Sequence, residues 1–579
     1  MPIFPHLQRR RPNPRYTNQI LRCVPRLSST SKFLLTVLVT ATSAAASPQL
    51  AAPSARDYLR GRFAAADNRL DDAARYFSAA LRAAPGDIIL QRRAFDSALA
   101  AGDERLAIDL ARRLETAKAG DAATALVVLS DALKRRDWAA ADAVTGLPDT
   151  GYAAVIAPAI KAWTRFGRGD VAAALAAVDP ANVTGVGASY LREHRALILF
   201  AAHRFADADP LFAAMLAGEA KDLVRVRTMA AASLAAQGNT AAATDLLRAG
   251  RDPTLAAAAT RLAAGRALDV PTLDPRTGIA LLAVRLAGDL SRERPVPLAL
   301  AFARVATFLA PGLGEAWLIT GDVLARSGRV EAAIAAFDRV SPHDWTAPLA
   351  TVRRGAALAE LGRDDEARAV FVAATHRADA TADDWQRLGD LDRRAQQFLP
   401  AAAAYSRAID LAGPEPDWSL LFVRGAAYEA AGDWTRAEPD LRAALKRAPD
   451  EPVVLNYLGY ALIDRGRDLA AATALVATAA KLRPDDGSIA DSLGWAYFRT
   501  GDTARAVPAL ETAARLEPGD AVINDHLGDA YWRAGRRLEA RFRWRAAAGL
   551  DPTPAAAVLL AKKLDFGLDL ATATATVTP

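Results

Sequence analysis

The carboxyl-terminal part of the chain repeats itself. Leu493-Gly494, Tyr497, Gly501, Ala506, Leu510, Ala513 and Pro518 return about 34 residues later as Leu527-Gly528, Tyr531, Gly535, Ala540, Trp544, Ala547 and Pro552. A period of this size reads as one helix-turn-helix unit per copy. Such a unit leaves an apolar face bare, so neighbours must stack to bury it. Small residues stand where two helix backbones approach. Gly494 and Ala506 are expected to face each other, and a bulky side chain at either overpacks the contact by roughly 1–3 kcal/mol. Gly501 suits the turn between the helices, where φ > 0 is free of a Cβ penalty. Pro518 ends the unit because it cannot continue a helix.

This period and order of small and large residues resemble the tetratricopeptide repeat (TPR) family at every diagnostic position. The resemblance implies an all-α fold, a TPR-type superhelical solenoid of about fourteen helix-turn-helix repeats in two arcs. It also implies a function class, non-catalytic protein–protein binding, without naming the partner.

The frame can be followed almost from the start. After a Ser/Pro/Ala connector, Gly61, Ala64, Ala73, Phe77, Ala80 and Pro85 fit it, with Asn68 in place of the turn glycine. The position equivalent to Gly494 is then held by Phe95, Leu129, Lys161, Ala196 and Ala231, so residues 54–250 form a degenerate array. The register breaks at 251–275, read as one extra helix and a turn-rich connector, and as the one candidate hinge. From 276 to 552 the array is regular, and seven of its eight frame positions, Ala287, Gly321, Gly355, Gly389, Gly425, Gly459, Gly494 and Gly528, are glycine. Residues 553–579 are expected to add a capping helix, with Lys562-Lys563 as its polar outer face, and a disordered tail.

A pI of about 9.4 suggests nucleic acid. The basic excess, however, lies in residues 1–46, which hold seven basic residues and no acid; without them the formal charge of +6 becomes about −1. A near-neutral remainder with no basic stripe argues against a nucleic-acid partner. Residues 1–46 have the parts of a signal peptide: a basic region, the apolar run Phe33–Val39, and Ala44–Ala46 before Ser47-Pro48, with cleavage expected after Ala46. Cys23, the one cysteine, lies inside this leader. The expected location is the periplasm, with anchoring in the inner membrane by an uncleaved leader as the alternative. No later stretch is long enough for a stable membrane span.

Within the family resemblance, ligands lie in the concave groove lined by the first helix of each unit. Tyr428, Tyr497, Tyr531, Trp317, Trp385 and Trp544 fall on consensus core positions and are assigned to packing. What remains in the last three units forms rows: Asn456, Asp491 and Asp525; Tyr457, Ser492 and His526; Tyr460, Trp495 and Asp529; Ile463, Phe498 and Trp532. Aromatic anchors beside polar groups are what a peptide groove requires. Asn456, Tyr457, Tyr460, Asp491, Ser492, Trp495, Asp525, His526, Asp529 and Trp532 are therefore the candidate groove residues, and the acidic row favours basic or neutral extended segments. The basic carboxylate clamp of some family members is absent, since Val453, Ser488 and Val522 hold its places.

No catalytic, cofactor or metal site is expected. None of the six histidines forms HExxH, and His526 with Asp525 and Asp529 on one helix supplies too few ligands for a closed metal centre. The expected function is a scaffold or adaptor for protein or peptide segments in the bacterial envelope. The alternative is a recruiting subunit of a polysaccharide or cell-wall synthesis system.

Overall fold

The computed structural model describes residues 52–144, 153–182, 186–218, 224–250, 252–292, 297–377 and 380–569. The expected leader and its expected cleavage point, Cys23 and the residues beyond 569 lie outside them. Among the described residues are thirty α-helices, α1–α30 in chain order, and no strand. Six hairpins run from α1 (Ala52–Ala66) with α2 (Leu70–Ala83) to α11 (Val224–Ala236) with α12 (Thr240–Arg248). α13 (Pro253–Ala263) stands alone. Eight more hairpins run from α14 (Pro275–Leu290) with α15 (Pro297–Leu309) to α28 (Ala521–Arg533) with α29 (Arg537–Gly549), and α30 (Pro554–Phe566) closes the array.

Local chemistry sets these boundaries. Several second helices start on a capping aspartate such as Asp502, whose carboxylate accepts the Arg505 backbone N–H at 3.0 Å and satisfies an orphan donor of the first turn. The turn before it needs a left-handed residue: Gly501 has φ 79°, and Asn68, in the first unit, φ 57°.

The close approach inside each unit differs in one respect from the expected Gly494–Ala506 contact. A Cβ on Gly494 would lie 2.5 Å from Leu510 Cγ, and one on Gly528 would lie 2.4 Å from Trp544 Cδ1. The large residue sixteen positions on, rather than the small one twelve on, fills the space the glycine vacates. This also explains how the degenerate units keep the fold. In the second unit the sizes are exchanged, with Phe95 at the glycine position and Ala111 sixteen residues later, both fully buried. Of the aromatics assigned to packing, Trp544 and Tyr531 are buried, whereas Tyr428, Tyr497, Trp317 and Trp385 are half-buried.

The break opens on the packed helix α13. Leu255, Ala258, Ala259 and Leu262 of α13 bury against Ala243 and Leu247 of α12. The chain then runs irregularly to Asp274, which accepts the Thr277 N–H at 2.8 Å and starts α14. The hairpin that follows packs against α3 (Ile88–Ala101), α5 (Ala122–Lys134), α7 (Ala153–Gly167) and α9 (Val186–Ala201), all first helices of the amino-terminal array. The two arrays are therefore joined by a packed interface as well as by the connector.

The cap also departs from expectation. Lys563 is not on the outer face of α30 but is 2% exposed and turned inward. α30 turns Ala557, Val558, Ala561 and Phe566 outward instead.

Candidate functional site

The first-helix face of the amino-terminal array is occupied by the chain itself. Every residue of α15 from Ala299 to Leu309 is buried, as are Gly278 to Val284 of α14. The fit at Gly278 is close: a Cβ there would lie 2.1 Å from the Trp163 ring. Polar contacts finish the junction. Arg304 donates to the Ala100 carbonyl at 2.5 Å, placing a cation at the end of α3, where the helix dipole favours it. Asn68 Nδ2 donates to the Gly328 carbonyl at 3.1 Å, and the Tyr190 hydroxyl donates to Asp289.

A buried ion cluster sits in the same junction. Arg225 Nη2 and Arg285 Nη1 each lie 2.6 Å from Glu193, and Arg225 also pairs with Glu315 of α16 (Gly314–Arg326). The two glutamates respond oppositely. Burial raises both, but Glu193 has two guanidinium partners and ends at about 2. Glu315 has Arg225 alone and stays above its ordinary value. Next to them His194 is pushed down to about 4, first by burial and then by Arg285 and Arg225, against the pull of Glu193. Its neutral ring accepts the Trp163 Nε1–H at Nδ1, 3.0 Å.

The second face is formed by α24 (Pro452–Asp464), α26 (Gly487–Arg499) and α28, which carry the ten candidate groove residues. Trp495 stacks between Phe498, 4.9 Å between centroids, and His526, 4.0 Å. His526 Nδ1 lies 2.9 Å from the buried Asp491 carboxylate. Asp525 and Asp529 hold Lys563 of the cap, at 2.6 and 2.8 Å, and Asp529 also accepts the Trp544 Nε1–H at 2.9 Å. Trp532 donates to Asp569 at 3.1 Å beneath the Arg537 guanidinium. Ser492 Oγ bonds the Ser488 carbonyl of its own helix.

The structure thus gathers Asp491, Trp495 and His526 into one cluster and Asp525 and Asp529 into another. It does not bring Tyr457 to either. Tyr457 turns back to Phe422 and to Glu429, which accepts its hydroxyl at 3.1 Å. Tyr460 is half-buried near the first cluster, its hydroxyl pushed up to about 12 by burial and by Asp491 and Asp464. The Asn456 Oδ1 and Trp495 Nε1 atoms are buried without a partner among the described residues. The acidic row expected to attract basic segments offers little free charge, because Asp491 and Asp525 are already paired. Lys563 was the residue missed, and its signal was weak: Lys563 follows Asp529 by one repeat length, 34 residues, but only docking of α30 shows which face it uses.

The charge state of His526 has a testable consequence. Burial lowers its pKa, but Asp491, Asp525 and Asp529 outweigh burial, and the net direction is up. A raised histidine contributes stability that is present below its ordinary 6.5 and is lost as pH rises through the raised value. The last units are expected to unfold more readily in urea on the alkaline side of that value than at pH 6.5, and His526→Asn is expected to remove the difference. Equal pH slopes for the two proteins would refute this assignment.

Among the described residues no helix is long and apolar enough to cross a membrane, and no group of three or more His, Cys, Asp or Glu is placed to hold a metal ion.

The model of a tetratricopeptide repeat family matches residues 297–348, 387–452, 422–487 and 492–553. The TPR repeat-containing protein PA4667 of Pseudomonas aeruginosa is 42% identical over 88 residues; that match spans 15% of this chain and 15% of that protein. Among solved structures, the APC/C hetero-tetramer Cut9-Hcn1 matches 89% of this chain and 97% of its own at 15% identity, with a TM-score of 0.37. MamA from Desulfovibrio magneticus matches 29% of this chain and 94% of its own at 20% identity, with a TM-score of 0.27. The sequence period, the stacked hairpins with glycine facing a large residue, and the family match agree: over its matched segments between residues 297 and 553 the chain is a tetratricopeptide repeat protein, of a family whose arrays serve as scaffolds for protein–protein interaction.

Proposed function

We propose that this protein is a non-catalytic adaptor of the bacterial envelope that holds protein segments on the first-helix face of its carboxyl-terminal array. The observation that carries this reading is the difference between the two faces. The amino-terminal face is filled by α14 and α15, whereas among the described residues no helix lies in the same way across α24 and α26. That face presents the half-buried rings of Tyr460, Trp495 and Phe498, rigid groups that anchor a partner at low entropic cost. With Asp491 and Asp525 paired, the favoured ligand is a neutral, apolar-rich segment. The envelope setting rests on the basic, apolar and small-residue pattern of the leader.

A photoreactive amino acid at Trp495 tests the reading. In cell envelopes it is expected to cross-link a discrete protein, while the same group at Leu399, exposed on a second helix, is not. Cross-linking of no protein from Trp495, or equal cross-linking from both sites, would remove the groove from consideration.

A further inference from the structure

The last second helix, α29, exposes a face that the repeat does not require. Leu538 and Phe542 are 68% and 61% exposed. The positions ten and fourteen residues after the frame glycine hold Glu331 and Ala335, Asp365 and Ala369, Leu399 and Ala403, Thr435 and Pro439, and Ala504 and Pro508 in other units. Within the regular carboxyl-terminal array only the final unit places two large apolar side chains there. Arg541, Arg545 and Ala546 share the face at helical spacing and are exposed. Arg536 is held by Glu511 and Glu539, and Arg533 by Asp569. Arg541 and Arg545, in contrast, have no carboxylate partner among the described residues. At the same end of the solenoid α30 adds Val558 and Phe566, 60% and 62% exposed.

We infer that this face docks on an anionic phospholipid bilayer. Two properties select that occupant. Unpaired guanidinium groups interleaved with Leu538 and Phe542 match a surface that is negatively charged above and apolar below, with the arginines at phosphate level and the apolar side chains among the upper acyl carbons. The side chains also protrude from a second helix, on the side away from the first-helix groove. A protein partner gains most from anchors that fill pockets, whereas a bilayer accepts isolated projecting side chains without a complementary shape. The inference is independent of the groove reading, since it uses the opposite side of the array.

The test uses the full chain with an environment-sensitive fluorophore at Ala546→Cys in a Cys23→Ser background, so that any contact made by the basic leader is not read as contact by α29. With vesicles of equal parts phosphatidylglycerol and phosphatidylcholine the emission is expected to rise and to be quenched by nitroxide lipids; with phosphatidylcholine alone it is not. Arg541→Gln with Arg545→Gln is expected to weaken the response roughly 30-fold, at about fivefold per charge, and added salt to weaken it further. Leu538→Ser with Phe542→Ser is expected to abolish the quenching, with helicity unchanged. Three results would overturn the inference: sedimentation with the vesicles without any change at the label, a change that grows with protein concentration in the absence of lipid, which assigns the face to a second copy, or an equal change with polyglutamate, which assigns it to an acidic protein.

Discussion

Arg225→Ala is expected to destabilise the protein by about 3–5 kcal/mol, because it leaves Glu315 buried without its cation and takes one of two from Glu193. The side chains concerned are 10% exposed or less, so water cannot replace the lost partner. The effect should be local before it is global. Hydrogen exchange is expected to quicken first in α14 and α15, since the cluster ties both arrays at the junction these helices fill. The loss should shrink on acidification, because Glu315 is already raised by burial and a protonated carboxyl needs no counter-ion. Arg225→Met combined with Glu315→Leu should recover much of the stability, as apolar replacement of a whole buried pair often does. Unchanged exchange in α14 and α15 on loss of Arg225 would show that the junction does not depend on this cluster.

Lys563→Met is expected to release the cap with an effect of similar size, about 3–5 kcal/mol at mildly alkaline pH. The substitution keeps the length of the side chain and removes the ammonium shared by Asp525 and Asp529. Burial already pushes Asp529 up to about 6 against the opposing pull of Lys563. Without the lysine its pKa rises further. The variant's folded state therefore favours the protonated acid, and its deficit should be small at low pH and grow as pH rises above the ordinary carboxylate range. Exchange protection across residues 554–566 reports the docking directly. Protection that matches the parent protein at alkaline pH would mean that α30 is held by Leu560 and its apolar neighbours alone.

His194 and His526 show why residue type alone is a poor guide to such behaviour. Both are buried. His194 faces Arg285 and Arg225 and is driven neutral, so its contribution is lost as pH falls from 6.5 towards 4. His526 lies among Asp491, Asp525 and Asp529, which outweigh its burial and raise its pKa. Its contribution is lost in the opposite direction. The signs follow from nearby charges: Arg225 and Arg285, 31 and 91 residues away, for His194, and for His526 Asp491, 35 residues back on the adjacent first helix, together with Asp525 and Asp529 of its own helix, which are the ones visible in the local sequence.

Some of this was readable in advance from particular residues. Gly494, Gly528 and their counterparts announced close helix contacts, and Asn68 and Gly501 announced left-handed turns. Asp491, Trp495 and His526 were identified as side chains that the repeat leaves free for other use. Charge is where the sequence misleads. Asp491 and Asp525 looked like an open acidic row, yet each has a partner, on the next first helix and on the cap. Lys563 looked like a solvated cap residue because lysine usually is one. Its burial depends on two carboxylates 34 and 38 residues earlier. The apolar run Pro297-Leu-Ala-Leu-Ala-Phe was a missed signal of another kind, since a helix apolar on all sides is one buried on all sides.

What the sequence by itself determined is therefore the unit and its stacking. Both are contacts between residues at most one period apart, and small, turn and closing residues at fixed spacing encode them. What only the tertiary structure decided is which face stays open. The hairpin α14–α15 fills the groove of residues about 100 to 200 positions earlier, and the cap neutralises the acids of α28. These are matters of which surfaces meet once the superhelix has curved. A repeat pattern is the same in every copy and carries no term for curvature, so it describes the groove without saying what lies in it.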